Sequence, residues 1–188
     1  EPKAEYGMGG FYGLSKKLAE EILEYLAHEG LRVCILRPSA IYGYGLPDDK
    51  MVTRFLREAA SGHPVAVSGS GGNRVNLIHA GDVASATLMA LEKKISGVFN
   101  IAGPSSPTIR EVALTCIEVV GQGEIQTDSG PEATAPKTRF GLSYQAAQKV
   151  FGYSPAVDLK RGIRRMWTAL KEAHPESAVV ASELGGGS

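Results

Sequence analysis

The sequence predicts an α/β fold on two observations. Short apolar runs rich in β-formers alternate along the chain with longer segments of helical periodicity. One such run, "LRVCIL" (31–36), is nearly continuous in apolar character and ends in a long Pro/Gly loop, as a parallel strand covered on both faces does at its ligand-side end. The elements can be taken in order. An i, i+4 row of Leu14, Leu18, Ile22 and Leu26 predicts a first helix over 12–28, with Gly30 as its left-handed stop. A strand follows at 31–36, and "RPSAIYGYGLPDD" (37–49) is read as loop.

Residues 52–60 read as a helix, and "SGHP" turns the chain into a strand, "VAVS" (65–68). The loop "GSGGN" precedes the strand "VNLIH" (75–79), and Asp82 is read as the cap of a helix ending near Lys94. After Gly97 come a strand at 98–101, the loop "AGPSSP", and a helix opened by Thr108 with Glu111 at capping-box spacing and closed by Gly121. Two more helices are expected, 144–151 after Ser143 and 159–173 after Asp158, the second halted by Pro175. Only two or three of these strands look central, whereas a doubly wound sheet has about five or more. The visible sheet is therefore expected to be incomplete.

Bulk composition narrows the function. Twenty acids balance twenty bases in 188 residues, with 43% hydrophobic and 21% charged, so the basic surplus of nucleic-acid binding is missing. Small molecules or proteins are the expected partners. No apolar run approaches the ~20 residues that cross a bilayer, and "EPKAEYG" has no signal-peptide pattern; a cytoplasmic location and no membrane contact are expected. Cys34 and Cys116 lie in apolar periodic segments and are read as two buried free thiols. The four His (28, 63, 79 and 174) show no metal-ligand spacing, so no metal is expected. There is no GxSxG elbow, and no glycine cluster fits GxGxxG. The start at Glu1, inside a polar glycine-containing stretch, creates the expectation that a preceding segment is missing. Residues 176–188, "ESAVVASELGGGS", are read as a flexible tail.

One short stretch points to chemistry. In "GGFYGLSKKLAEE" (9–21), Tyr12 and Lys16 fall one turn apart on the same helix face, where a phenol and an ammonium can address one ligand. A phenol is a poor base at neutral pH, and a neighbouring ammonium favours its phenolate. Taken alone, the pair reads more readily as a surface Tyr and Lys.

The order of motifs decides between them. "YGLSK" (12–16), "LRPSAIYGYG" (36–45), "IHAGDVASA" (78–86), "GVFNIAG" (97–103), "TIREVA" (108–113) and "FGYSPAVDLKRGI" (151–163) together resemble the C-terminal part of an extended short-chain dehydrogenase/reductase. The likeness is to the NAD-dependent epimerase/dehydratase family that includes UDP-glucose 4-epimerase, and it covers about residues 9–170. It implies the last strands of a Rossmann-type doubly wound parallel sheet plus a small mixed α/β substrate-binding domain, with the N-terminal dinucleotide-binding half missing. The implied division is 1–45 as the remnant of the Rossmann domain, 46–175 as the substrate-binding domain with 78–102 packing back on the sheet, and 176–188 as tail.

The resemblance implies NAD or NADP as cofactor and a small-molecule substrate, in this family a sugar nucleotide. Tyr12 becomes the acid/base and Lys16 the residue that holds the nicotinamide ribose, while Pro38 and Ser39 approach the nicotinamide through their backbone. Ala40 stands where the family commonly has an asparagine that bonds the substrate phosphate, and an alanine cannot make that bond. Arg74 resembles the arginine that grips the substrate diphosphate, but it stands five residues before His79 rather than four, and one residue of slip reverses the face of a strand. His79 is read as structural. The dinucleotide fingerprint lies upstream of YxxxK in this family and is not in the chain, so the 188 residues alone are expected to turn over little or nothing. Two alternatives remain open: a non-catalytic assembly module or half of a split enzyme, with a homo-oligomer or a separate N-terminal half as partner; and a reductase of the steroid or flavonoid type.

Overall fold

Residues 10–127 and 142–173 are described by a computed structural model. Within them, six helices and six short strands run in the order α1 (Gly10–His28), β1 (Cys34–Pro38), β2 (Ala40–Tyr42), α2 (Met51–Ala60), β3 (Val65–Val67), β4 (Leu77–His79), α3 (Ala80–Glu92), β5 (Gly97–Ile101), α4 (Ile109–Val120), β6 (Ile125–Thr127), α5 (Gln145–Phe151) and α6 (Leu159–Ala173). The α/β class expected from the alternation is what forms. The strands make three two-stranded ladders, β1–β5, β2–β4 and β3–β6, and all three are parallel.

Local chemistry explains most boundaries. Gly30, at φ 96°, closes α1, with its N–H donating to Ala27 O at 3.1 Å and the Leu31 N–H to Leu26 O at 3.0 Å, the Schellman pattern. That closure occupies the residues just after the helix, so β1 begins at Cys34 and ends at Pro38 rather than spanning 31–36. The capping box of α4 is present in full: Thr108 Oγ1 accepts from the Glu111 N–H at 3.1 Å and the Glu111 carboxylate accepts from the Thr108 N–H at 2.6 Å. The stretch read as one long loop contains β2, and β6 was not anticipated at all. Both are three-residue strands fixed by distant partners, Ala40–Tyr42 by Leu77–His79 and Val65–Val67 by Ile125–Thr127.

Asp82 does not cap α3. That place belongs to His79, whose Nδ1 accepts from the Gly81 N–H at 3.1 Å. Asp82 is instead buried inside the helix, its two carboxylate oxygens accepting from the Ala156 and Val157 N–H groups, each at 3.1 Å. It ties the segment before α6 to α3.

Two apolar clusters result. One gathers Tyr42, Phe55, Leu56, Val65, Leu77, Val112, Cys116, Ile163 and Met166, from α2, α4, α6 and the ladders beside them. The other gathers Ile78, Ala86, Phe99, Ile101, Phe151 and Tyr153, from α3, α5 and the β1–β5 ladder. Cys116 is buried as expected, and burial pushes its thiol up to about 12. Cys34 is only half-buried, in a groove beside β1. The apolar row of α1 is not in either core: no residue of that helix is buried, and Leu18 and Ile22 are 54% and 61% exposed. Among the described residues no helix is long and apolar enough to cross a membrane. The expected tail 176–188, the Pro175 stop and residues 1–9 of the first unit lie outside the described residues.

Candidate active site

Four elements converge where β1 hands the chain to β2. Pro38 ends β1 opposite Ile101, and Ala40 opens β2 opposite Leu77. Between them, the Ser39 N–H donates to Ile101 O at 3.0 Å and the Ala40 N–H to Asn76 O at 3.1 Å. The backbone therefore exchanges one parallel neighbour for another within a single residue. Ser39 is 8% exposed, and its hydroxyl is buried with no hydrogen-bond partner among the described residues. A buried hydroxyl without a partner costs about 1–3 kcal/mol relative to a satisfied one.

On α1, Lys16 Nζ lies 5.5 Å from the centroid of the Tyr12 ring, and Tyr12 is 71% exposed. The helix geometry thus brings the two together on an open face. Ser15 Oγ donates to Tyr12 O at 2.8 Å, which tightens the first turn.

The other residues singled out from the sequence are Ala40, at the handover itself, and Arg74. Ala40 is exposed at the start of β2. Arg74 bridges to Thr108 and donates through Nη1 to Ser106 O at 2.7 Å, so one arm of its fork holds the loop after β5. Asn76, which sequence reasoning passed over, does the same from inside. Its amide donates to Ser105 O at 3.0 Å and Ser106 Oγ at 3.2 Å, and its carbonyl accepts from the Gly103 N–H at 2.8 Å. An asparagine in the otherwise apolar run "VNLIH" was the available signal, since a polar residue in a buried strand needs such partners.

His79 and Tyr42 meet edge to face at 5.5 Å and 83°. Burial holds the His79 imidazole below its usual range, against a smaller opposite pull from Asp82, with Arg165 adding to the depression. Its capping role requires an unprotonated Nδ1, which assigns the hydrogen to Nε2. His79 is thus a structural residue, as read from the sequence. Tyr42 is held neutral by burial and by the charges of Asp158 and Asp82. Among the described residues no group of three His, Cys, Asp or Glu could hold a metal.

Parallel ladders with helices between them, and functional candidates Pro38 and Ser39 at the C-terminal end of β1, define an α/β protein of the doubly wound class. Residues 2–102 match the NAD dependent epimerase/dehydratase family, and the chain belongs to that family. A Methanocaldococcus jannaschii protein, named as a candidate UDP-glucose 4-epimerase, is 30% identical over 166 residues, 85% of this chain and 53% of the relative. The dTDP-4-dehydro-6-deoxy-D-allose reductase of Streptomyces bikiniensis is 32% identical over 139 residues, 70% of this chain and 42% of that protein. Among solved structures, the UDP-glucose 4-epimerase of Thermotoga maritima with UDP-glucose has a TM-score of 0.76 at 26% identity, over 86% of this chain and 53% of that one. The Thermus thermophilus UDP-glucose 4-epimerase in complex with NAD gives 0.75 at 25% identity, over 86% and 54%. The chain thus spans about half the length of the relatives it matches.

Proposed function

We propose that these 188 residues are the C-terminal part of an NAD(P)-dependent enzyme acting on a nucleotide sugar, an epimerase, dehydratase or close relative, in which Tyr12 is the acid/base. The observation that carries this reading is the Lys16 ammonium placed over the Tyr12 ring on an open helix face. In this reading Tyr12 is the group that takes a proton from a substrate hydroxyl and returns it, and Lys16 addresses the same ligand from one turn away. When bound, the cofactor supplies a hydride acceptor at the same carbon. The residues present fit its nicotinamide end: Lys16 has donors for ribose hydroxyls, the backbone at Pro38 and Ser39 is within the β1–β2 handover, and the Ser39 hydroxyl has a bond to give or take. Arg74 keeps one arm for a substrate phosphate in this reading, and Ala40 leaves room rather than a bond.

The pyrophosphate cradle is a different matter. No GxGxxG occurs in the sequence, so in this proposal the dinucleotide-binding turn comes from outside these residues and completes the sheet along β1. β1 is paired with β5 on one edge, and no other strand borders it among the described residues. We assign 1–45 to the dinucleotide-binding unit and 46–175 to the substrate unit, with 78–102 returning to the sheet; the pairing of β5 with β1 supports that last point.

The test has two arms. NADH or NADPH fluorescence titrated with this chain alone should show no saturable micromolar binding. Joined to a dinucleotide-binding half, the protein should turn over a UDP- or dTDP-sugar, and Tyr12→Phe should cut kcat by about 10²- to 10⁴-fold. Tight binding by the chain alone, or undiminished turnover in the Tyr12→Phe protein, would overturn the proposal.

A further inference from the structure

The candidate pair rides on a helix that contributes nothing to either core, so something other than burial must fix where it points. Arg37, the residue before Pro38, sends its fork across to α1. Its Nε donates to Glu20 Oε1 at 2.9 Å and to Oε2 at 3.1 Å, and its Nη2 also pairs with Oε2. A two-donor fork on a carboxylate fixes direction as well as distance, which a point cation does not. The pair is partly shielded, at 25% side-chain exposure for Glu20 and 49% for Arg37. The guanidinium holds the Glu20 carboxyl below the usual carboxylate range, and Glu24 adds to the field at Arg37.

Its location gives the pair a second consequence. α1 runs antiparallel to β1: Glu20 meets Arg37, while Leu23 and Ala27, further along the helix, line one groove with Ile35, further back along the strand, and with Leu31 and Val33, which precede it. Glu20 stands one turn beyond Lys16 and two beyond Tyr12. Four helical residues advance about 6 Å, and two strand residues advance about 6.6 Å. With Glu20 pinned to Arg37, these ideal rises put Lys16 about level with Ser39 and Tyr12 about level with Ile41.

We propose that Glu20 and Arg37 are positioning residues, a clamp that sets the axial register of α1 against β1 and so holds Tyr12 and Lys16 at the level of the β1–β2 handover. This deepens the function proposed above and rests on it for its purpose, though not for its test. A pair that merely added stability would be lost without moving the helix.

Residual dipolar couplings of backbone amides in the isotope-labelled chain read the difference. In the wild type, the amides of α1 and those of β1 and β5 should fit one alignment. Arg37→Gln and, independently, Glu20→Gln should lose that common alignment for α1 while α2, α4 and α6 keep theirs. Arg37→Lys, which retains charge without the fork, should recover it only in part. The exchanged pair, Glu20→Arg with Arg37→Glu, should restore it. Unchanged α1 couplings in both Gln variants, or failure of the exchanged pair to restore them while unfolding stays cooperative, would overturn the clamp. Tyr12→Phe should leave the alignment intact, so a failed chemical role and a failed positioning role give different results.

Discussion

Substituting Gly162 by alanine sets two known effects against each other. Gly162 lies in the first turns of α6, and a Cβ built there would stand 1.9 Å from Tyr42 Oη, 2.7 Å from Cζ and 2.9 Å from Cε2. An ordinary contact begins at 3.4 Å, so ring and helix must part by roughly 1.5 Å. The ring has little room to move. It is 2% exposed and braced edge-on by His79. Overpacking of this kind costs about 1–3 kcal/mol, and the size of the overlap puts it at the upper end. Alanine regains about 0.8–1.0 kcal/mol over glycine inside a helix. The net is a destabilisation of about 2 kcal/mol, or a fall in Tm of about 4–8 °C for a chain of this length. Thermal unfolding followed by circular dichroism measures it. Tyr42→Phe removes the atom in deepest conflict and gives up only a long 3.5 Å bond to Asp158 O, so Gly162→Ala should cost less in that background. A rise in Tm by the propensity term alone would show that Tyr42 and α6 are not in tight contact, and the reasoning would fail.

Three further outcomes follow from contacts already described. Asp82→Ala strips the Ala156 and Val157 N–H groups of their acceptor and should lower the urea-unfolding free energy by about 2–4 kcal/mol; a change within about 0.5 kcal/mol, as at a bare surface site, would refute that. Thr108→Ala breaks the capping box and should cost about 0.5–2 kcal/mol by the same measurement, with Glu111→Gln costing less because one hydrogen-bonding oxygen survives. His79 has its folded-state proton affinity lowered by burial, so it stabilises the fold fully above the unfolded imidazole value of about 6.5. That contribution is lost as pH falls through the lower folded value. The urea midpoint should therefore drop between pH 7.5 and 5.5, and His79→Asn, a cap that does not titrate, should flatten the slope.

Much of this architecture could be read from local patterns. α1 with its Gly30 stop, and α4 with Thr108, Glu111 and Gly121, follow from spacing and capping chemistry contained within a few residues. The strands β2 and β6 could not be read this way, because three residues carry no periodicity and their partners lie more than thirty residues distant in sequence. Asp82 had the composition of a cap and became a buried acceptor, since its partners are backbone groups of a segment far downstream. The Tyr12–Lys16 pair was legible because a helix fixes its geometry. The orphaned Ser39 hydroxyl was not, because burial of a serine depends on which two neighbours the strand exchanges.

Consecutive residues of β4 serve different interiors: Leu77 belongs with α2, α4 and α6, and Ile78 with α3 and the β1–β5 ladder. A strand points adjacent side chains to opposite sides, so this single ply is the common wall of two rooms. No cut through the chain can give each room its own wall. Melting one half strips the other of its lining, so the two interiors should unfold as one cooperative unit.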